Sequence, residues 1–308
     1  MAYHTPVLLE EVVNQLQPRR GGLYVDCTVG GGGHAREMLR ACGPDGQLIG
    51  LDWDEDAIAA SRERLSEFGA RVQLVRANYL ELERVLMSLG VTAVDGVMFD
   101  LGVSSRQFDE PTRGFSFLRE GPLDMRMSRQ LAATARDILR TADLEELAKI
   151  FRLYGEEKRA RAIAREIVAE RERAPIETTT QLARSVERVL GPKHGAIHPA
   201  TRVFQALRIS VNDELGNLKR GLEVSTKFLK SGARLAVISF HSLEDRIVKH
   251  FFVEKSAGCV CPPQLPVCAC GRKEVLRIVT KKPVIAGEQE VHGNPRARSA
   301  KMRVAEKI

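Results

Sequence analysis

Residues 24–35 read YVDCTVGGGGHA, a short apolar run that passes directly into four consecutive glycines, Gly30 to Gly33. Glycines between a strand and a helix leave no Cβ in the turn, so the backbone can approach a ligand closely. Gly30, Gly32 and Ala35 satisfy a loose G-x-G-x-x-A pattern, which is weak alone. It gains weight from Asp52, which ends the next apolar run, QLIGLDW, where a carboxylate accepts hydrogen bonds from both ribose hydroxyls of an adenosine. An adenosine-containing cofactor is the expectation, with a purely structural glycine turn as the alternative. No G-x-x-x-x-G-K-[ST] is present, which argues against a P-loop.

Outward from this stretch the pattern repeats. LYVDCTV, QLIGLDW, VQLVRAN and AVDGVMFD are short runs rich in apolar and β-branched residues. Between them AREMLRACG, DEDAIAASRERLSEFG and YLELERVLMSLG carry apolar positions at helical spacing. Such alternation predicts an α/β fold, a Rossmann-like doubly wound parallel sheet. It stops near residue 105 and resumes near 233 with RLAVISF. The intervening text is helical and densely charged, in DLEELAKIFRLYGEEKRARAIAREIVAERER, TTTQLARSVERVL and one long helix over ATRVFQALRISVNDELGNLKRGLE. The expected organisation is a sheet domain of residues 1–112 plus 212–308 and an inserted all-helical domain of residues 113–211.

The chain has 308 residues, 44% of them hydrophobic and 28% charged, an ordinary globular composition. No apolar run approaches the roughly 18 residues of a membrane helix. MAYHTPVLLEEVV has no basic leader or small-residue cleavage site, so the cytoplasm is the expected location. Net charge is +7 but unevenly divided: residues 1–112 balance to −7, residues 113–211 to +6 and residues 212–308 to +8. Clustered Lys and Arg suit a polyanionic partner, although many basic proteins bind none.

NAD and S-adenosylmethionine both fit a glycine loop with a distal acid. The fourth run ends in FDLGVSSRQFDE, which puts Asp100 at the carboxyl edge of the sheet, where a cofactor's reactive end belongs. A polar acceptor there suits the amino group of a methyl acceptor; the alternative is an Asp that caps a turn.

HTPVLLEEV, VDCTVGGGGHA, GLDWD, FDLGVSSRQFD, RGFSF, PLDMRM, SFHSLEDR and NPRARSAKMR together resemble the bacterial 16S rRNA cytosine-N4 methyltransferase family, in its order and over nearly the whole chain. The resemblance implies a class I methyltransferase that uses S-adenosylmethionine to methylate the exocyclic N4 of one decoding-centre cytidine in the small ribosomal subunit. It also implies cofactor contacts from Gly32, Gly33, His34, Asp52, Tyr79, Asp100 and Gln107, with Tyr79 against the adenine. The D-L-G-V after Phe99 departs from the N/D-P-P-Y/F signature of many amino methyltransferases, which leaves the hydrogen-bond partner of the target open.

A cytidine substrate has to leave its stack, and aromatic or Arg platforms offset that cost. Phe108, Phe115 and Phe117 interleave with Arg106 and Arg113, and Phe115 and Arg113 are the candidate contacts against a local apolar cluster. Arg126 in LDMRM and Arg208, with Arg202, are further candidates. His241 follows the fifth strand, where it suits proton transfer, phosphate binding or a structural role; His4 carries the same ambiguity. Glu244, Asp245 and Arg246 open a helix and complement its dipole. The basic tail NPRARSAKMRVAEK suits phosphate contacts or sheet pairing. Cys259, Cys261, Cys268 and Cys270 form C-x-C-x6-C-x-C, an uncommon spacing for zinc, and no metal is expected. Cys27 and Cys42 read as buried apolar residues. The sequence leaves room for a homodimer. The readings from other classes are an NAD-dependent oxidoreductase and a noncatalytic RNA-binding assembly factor.

Overall fold

Seven strands pair into a single sheet in a computed structural model that describes residues 6–192, 198–258, 270 and 272–308. The strands are β1 (Leu23–Asp26), β2 (Gln47–Asp52), β3 (Val72–Arg76), β4 (Val94–Asp100), β5 (Leu229–Ser239), β6 (Leu276–Ile278) and β7 (Lys301–Lys307). Their order is β3-β2-β1-β4-β5-β7-β6. β1 to β5 are parallel, whereas β7 runs antiparallel to both β5 and β6. The doubly wound Rossmann-like sheet expected from the sequence is therefore present, with its order reversing beside β1 and β4.

Both faces of this sheet are covered, which explains why its strands read as continuous apolar runs rather than alternating ones. Val25, Leu51, Val97, Phe99 and Val237 enter one core; Tyr24, Leu48, Met98, Ala236 and Ile238 enter the other. Packing at this density holds the strand ends rigidly, and the functional acids sit there. Helix starts follow local chemistry: the Asp54 carboxylate accepts from the Asp56 N–H at 3.1 Å to cap Glu55–Arg64.

The chain divides into two compact units, Met1–Gly102 with Leu215–Ile308, and Val103–Glu214. The second is helical, with Ala135–Thr141, Leu144–Gly155, Ala160–Arg171, Thr179–Leu190 and Thr201–Asn212 as its longer elements. Leu147, Phe151, Ile163, Ile167, Leu182, Val186 and Leu207 are fully buried within it. The single long helix expected over residues 200–223 is two: Thr201–Asn212 ends where Asp213 turns left-handed, at φ 45°, and Glu214–Phe228 begins afresh. Glu156, at φ 49°, breaks the run over residues 143–173 in the same way. Among the described residues no helix is long and apolar enough to cross a membrane.

Candidate active site

The glycine loop is built around a left-handed turn. Gly32 sits at φ 74° and opens the helix Gly33–Ala41, a backbone state that costs a residue with a Cβ about 1–2 kcal/mol. Beside it Gly30 donates its N–H to Asp52 Oδ2 at 3.0 Å, and the Asp54 N–H reaches Asp52 Oδ1 at 2.9 Å. These bonds aim the β2 acid at the loop. The loop and the ribose-type acid read from sequence are thus in direct contact.

Three strands end in an acid at the same edge: Asp26 on β1, Asp52 on β2 and Asp100 on β4. Asp26 is 1% exposed and accepts from the Thr28 N–H at 3.1 Å. Thr28 also accepts the Asp100 N–H on its hydroxyl at 2.6 Å, so one side chain ties the ends of β1 and β4 together. Burial pushes the Asp26 carboxyl up to about 7, opposed by the Thr28 hydrogen bonds and reinforced by the negative charge of Asp52. Burial also raises Asp52 to about 6, against hydrogen bonds from Asp54 and Gly30. Asp100 is held well above the ordinary carboxylate range by burial, with Asp26 and Glu244 adding like charge. Its Oδ1 is buried and has no hydrogen-bond partner among the described residues. Three acids crowded at one edge ionise more readily once a cation lies beside them, so the edge favours a positively charged ligand and disfavours the anionic diphosphate of a dinucleotide.

His34, on the first turn of the loop helix, is buried; its Nε2 donates to the Val7 carbonyl at 2.9 Å and its Nδ1 lies 3.6 Å from Asp100 Oδ2. Tyr79 follows β3 in a short 3-10 turn and meets Phe99 edge-on, centroids 5.3 Å apart. A Cβ at residue 221 would come within 2.8 Å of its ring, so Gly221 lets the helix Glu214–Phe228 approach Tyr79. His241 caps the helix Ser242–Ser256 through Nδ1, which accepts from the Glu244 N–H at 3.4 Å. Glu244 in return accepts from the Phe240 and His241 N–H groups. Of the roles open to His241, this geometry displays the structural one. Asp245 pairs with Arg303 of β7 at 2.6 Å and 3.2 Å.

In the helical unit, Gln107 closes a capping box with Ser104 and donates to the Met127 carbonyl at 3.4 Å. Arg113 is buried and donates to the carbonyls of Arg126 and Met127. Arg126 grips Asp124 and the carbonyls of Arg129 and Leu131. Arg208 makes a two-pronged pair with Glu214, both bonds 2.9 Å. Phe115 is buried, while Phe117 packs on Phe204 and His198. Each side chain chosen for RNA contact therefore has an internal structural partner or burial. Cys27 and Cys42 are buried free thiols; His4, Cys259, Cys261 and Cys268 lie outside the described residues.

Sequence reasoning passed over Asp26. The available signal was its position as the acid closing an apolar run, the property that picked out Asp52 and Asp100. The His34–Asp100 approach joins residues far apart in the chain and had no local signal.

The family model of the MraW methylase family matches residues 1–308. A relative from Geobacter sulfurreducens, "Ribosomal RNA small subunit methyltransferase H", is 54% identical over 307 residues, covering 99% of this chain and 99% of its own. Proteins of the same name from Citrifermentans bemidjiense and Syntrophus aciditrophicus are 52% and 51% identical, each over 309 residues, covering 99% and 100% of this chain and 99% and 98% of their own. An acid-edged, doubly wound sheet with a glycine loop agrees with that match across the full length, and the chain belongs to the MraW methylase family of methyltransferases.

Proposed function

We propose that this protein methylates the exocyclic N4 of one cytidine in the decoding centre of 16S rRNA, with S-adenosylmethionine as methyl donor. The observation that carries the reading is Asp100: a strand-end carboxylate at the reactive edge, with one buried oxygen lacking a partner. S-adenosylmethionine supplies, when bound, a methyl group on a positively charged sulfur. The residues present fit it, because Asp26, Asp52 and Asp100 offer negative charge to a cation. Gly32, Gly33 and His34 would lie along it, Asp52 would take the ribose hydroxyls, and Tyr79 would pack on the adenine. Gln107 enters through the family resemblance and its capping role.

The nitrogen of a cytosine amino group has its lone pair delocalised into the ring. An acceptor on one N–H localises that pair and fixes the direction of attack, and preorganised electrostatics of this kind supplies much of the rate in such sites. Asp100 Oδ1 is the acceptor. Thr28 and Glu244 hold the surrounding backbone, through the Asp100 N–H and the start of the helix Ser242–Ser256 respectively.

The helical unit, with its basic balance, serves substrate recognition in this reading. Arg113, Phe115, Arg126 and Arg208 shape it from within through the partners described above. Direct phosphate contact falls to exposed cations. Lys281, Lys282 and Arg298 belong to the segment that covers the carboxyl end of β5, where Val284 bridges Met302 and Lys301 pairs with Ser239. Phosphate contacts of this kind position RNA without reading its sequence. The glycine loop and all three strand-end acids come from one chain, so a homodimer is not needed to assemble the site. A protein that acts on small ribosomal subunits would do so in the cytoplasm.

The test is incubation of the protein with isotopically labelled S-adenosylmethionine and small subunits from a strain lacking the modification, followed by nucleoside mass spectrometry. N4-methylcytidine at a single decoding-centre position is expected, with loss of the product for Asp100→Ala. Cofactor binding without any labelled nucleoside would leave a noncatalytic assembly role in its place.

A further inference from the structure

The reaction proposed above leaves one proton without a destination. When N4 forms its bond to the methyl carbon it must shed one of its two hydrogens, and the oxygen placed to accept it, Asp100 Oδ1, is itself buried. Asp100 has two oxygens in different surroundings: Oδ1 has no hydrogen-bond partner among the described residues, and Oδ2 lies 3.6 Å from Nδ1 of His34. The tautomer of His34 follows from its other nitrogen. A carbonyl only accepts, so Nε2, 2.9 Å from the Val7 carbonyl, carries the hydrogen, and neutral His34 presents the lone pair of Nδ1 toward Asp100.

We propose that Asp100 and His34 form a proton-accepting dyad, in which Oδ1 receives the N4 proton and Nδ1 of His34 receives the proton that Asp100 gives up at Oδ2. The inference rests on the methyl-transfer reading. Its balance is simple: an N–H bond at N4 breaks as an O–H bond forms on Asp100, and an O–H bond breaks as an N–H bond forms on His34. The carboxylate returns to its starting charge, and an imidazolium is left between Asp100 and the Val7 carbonyl. That cation is buried, but the acids of three elements surround the pair: Asp26 on β1, Asp100 itself on β4 and Glu244 on the helix Ser242–Ser256. His34 acts through Asp100 and is a relay residue.

The expected consequences separate the dyad from a merely structural histidine. In the full chain labelled with 15N-histidine and free of cofactor, the Nδ1 resonance of His34, assigned by its loss in His34→Gln, should show an unprotonated nitrogen at neutral pH. Its protonation midpoint should change in Asp100→Asn, which removes the carboxyl group that shares a proton with Nδ1. A protonated Nδ1 at neutral pH, or a midpoint indifferent to Asp100→Asn, overturns the proposal.

His34→Gln keeps a donor for the Val7 carbonyl and loses the base. Its single-turnover methylation rate at saturating cofactor should fall by roughly 10- to 100-fold, with the acid limb of its pH profile displaced to lower pH. A wild-type rate and an unmoved limb overturn the dyad and leave Asp100 as acceptor. Absence of N4-methylcytidine from the wild-type reaction instead overturns the functional reading itself, while the resonance titration still reports whether the pair shares a proton.

Discussion

Asp26 is one of three strand-end acids whose ionisation the folded state opposes. Its carboxyl titrates at about 7 in the folded protein against 3.8 ordinarily. An acid raised by folding favours the folded state while protonated: the contribution is complete below about 3.8 and is lost as pH climbs through about 7. The difference is on the order of 4 kcal/mol. Asp26→Asn keeps an oxygen for the Thr28 N–H and removes the charge, so the cofactor-free variant should melt several degrees above wild type at pH 8 and close to it at pH 4. An equal shift at both values would show that ionisation is not the cause. The same linkage predicts tighter cofactor binding as pH rises from 5 to 8, because a cation is best received by ionised acids; isothermal titration should show this slope flattened in Asp26→Asn. Asp52 differs in having two backbone donors that orient it. Asp52→Ala should weaken cofactor binding by about 10- to 100-fold, the loss of charge-assisted hydrogen bonds, with little change in melting temperature. Asp52 and Asp100 were legible because acids closing apolar runs stand at a sheet's carboxyl edge. The internal partners of Arg113, Arg126 and Arg208 were not, since a guanidinium in a sequence declares its charge and not the carbonyl it will find.

Among the elements, the parallel strands announced themselves through uninterrupted apolar runs, which burial on both faces demands. The helix breaks at Glu156 and Asp213 left no such trace. Glu and Asp have no strong claim on left-handed backbone, and the helical periodicity continues on either side, so tertiary packing alone decides where the chain turns. β7 was ambiguous for a related reason: its basic residues suit phosphate or sheet, and the structure places it in the sheet. One of those residues has a further role. Arg303 is almost fully buried and holds Asp245, on the first turn of the helix that His241 caps. Arg303→Ala would leave that carboxylate largely buried, with only the more distant Lys301 ammonium, 3.8 Å away, beside it. A loss of about 3 kcal/mol is expected, seen as a lower urea midpoint, and Asp245→Asn in the same background should recover part of it. No recovery would assign the loss to packing of the Arg303 stem instead.

At the scale of the molecule, charge is partitioned along the chain, negative in its first third and positive afterwards. The negative part holds the strand-end acids that receive a small cation; the positive part suits a polyanion. Triple reversal at Lys281, Lys282 and Arg298 to Glu should raise the apparent KM for small subunits and flatten its dependence on salt, leaving cofactor Kd unchanged, because each lost phosphate contact removes about 0.7–0.9 of a unit from the logarithmic salt slope. An unaltered slope would exclude that face from the RNA path. The strand order also carries a timetable. β7 lies between β5 and β6, and among the described residues β6 pairs with no other strand. Residues 276–278 are therefore made first and seated last, waiting for residues 301–307 to dock on β5, so that assembly at this margin runs opposite to synthesis. In pulse-labelled hydrogen exchange, β7 amides should gain protection together with β5, and those of β6 only afterwards.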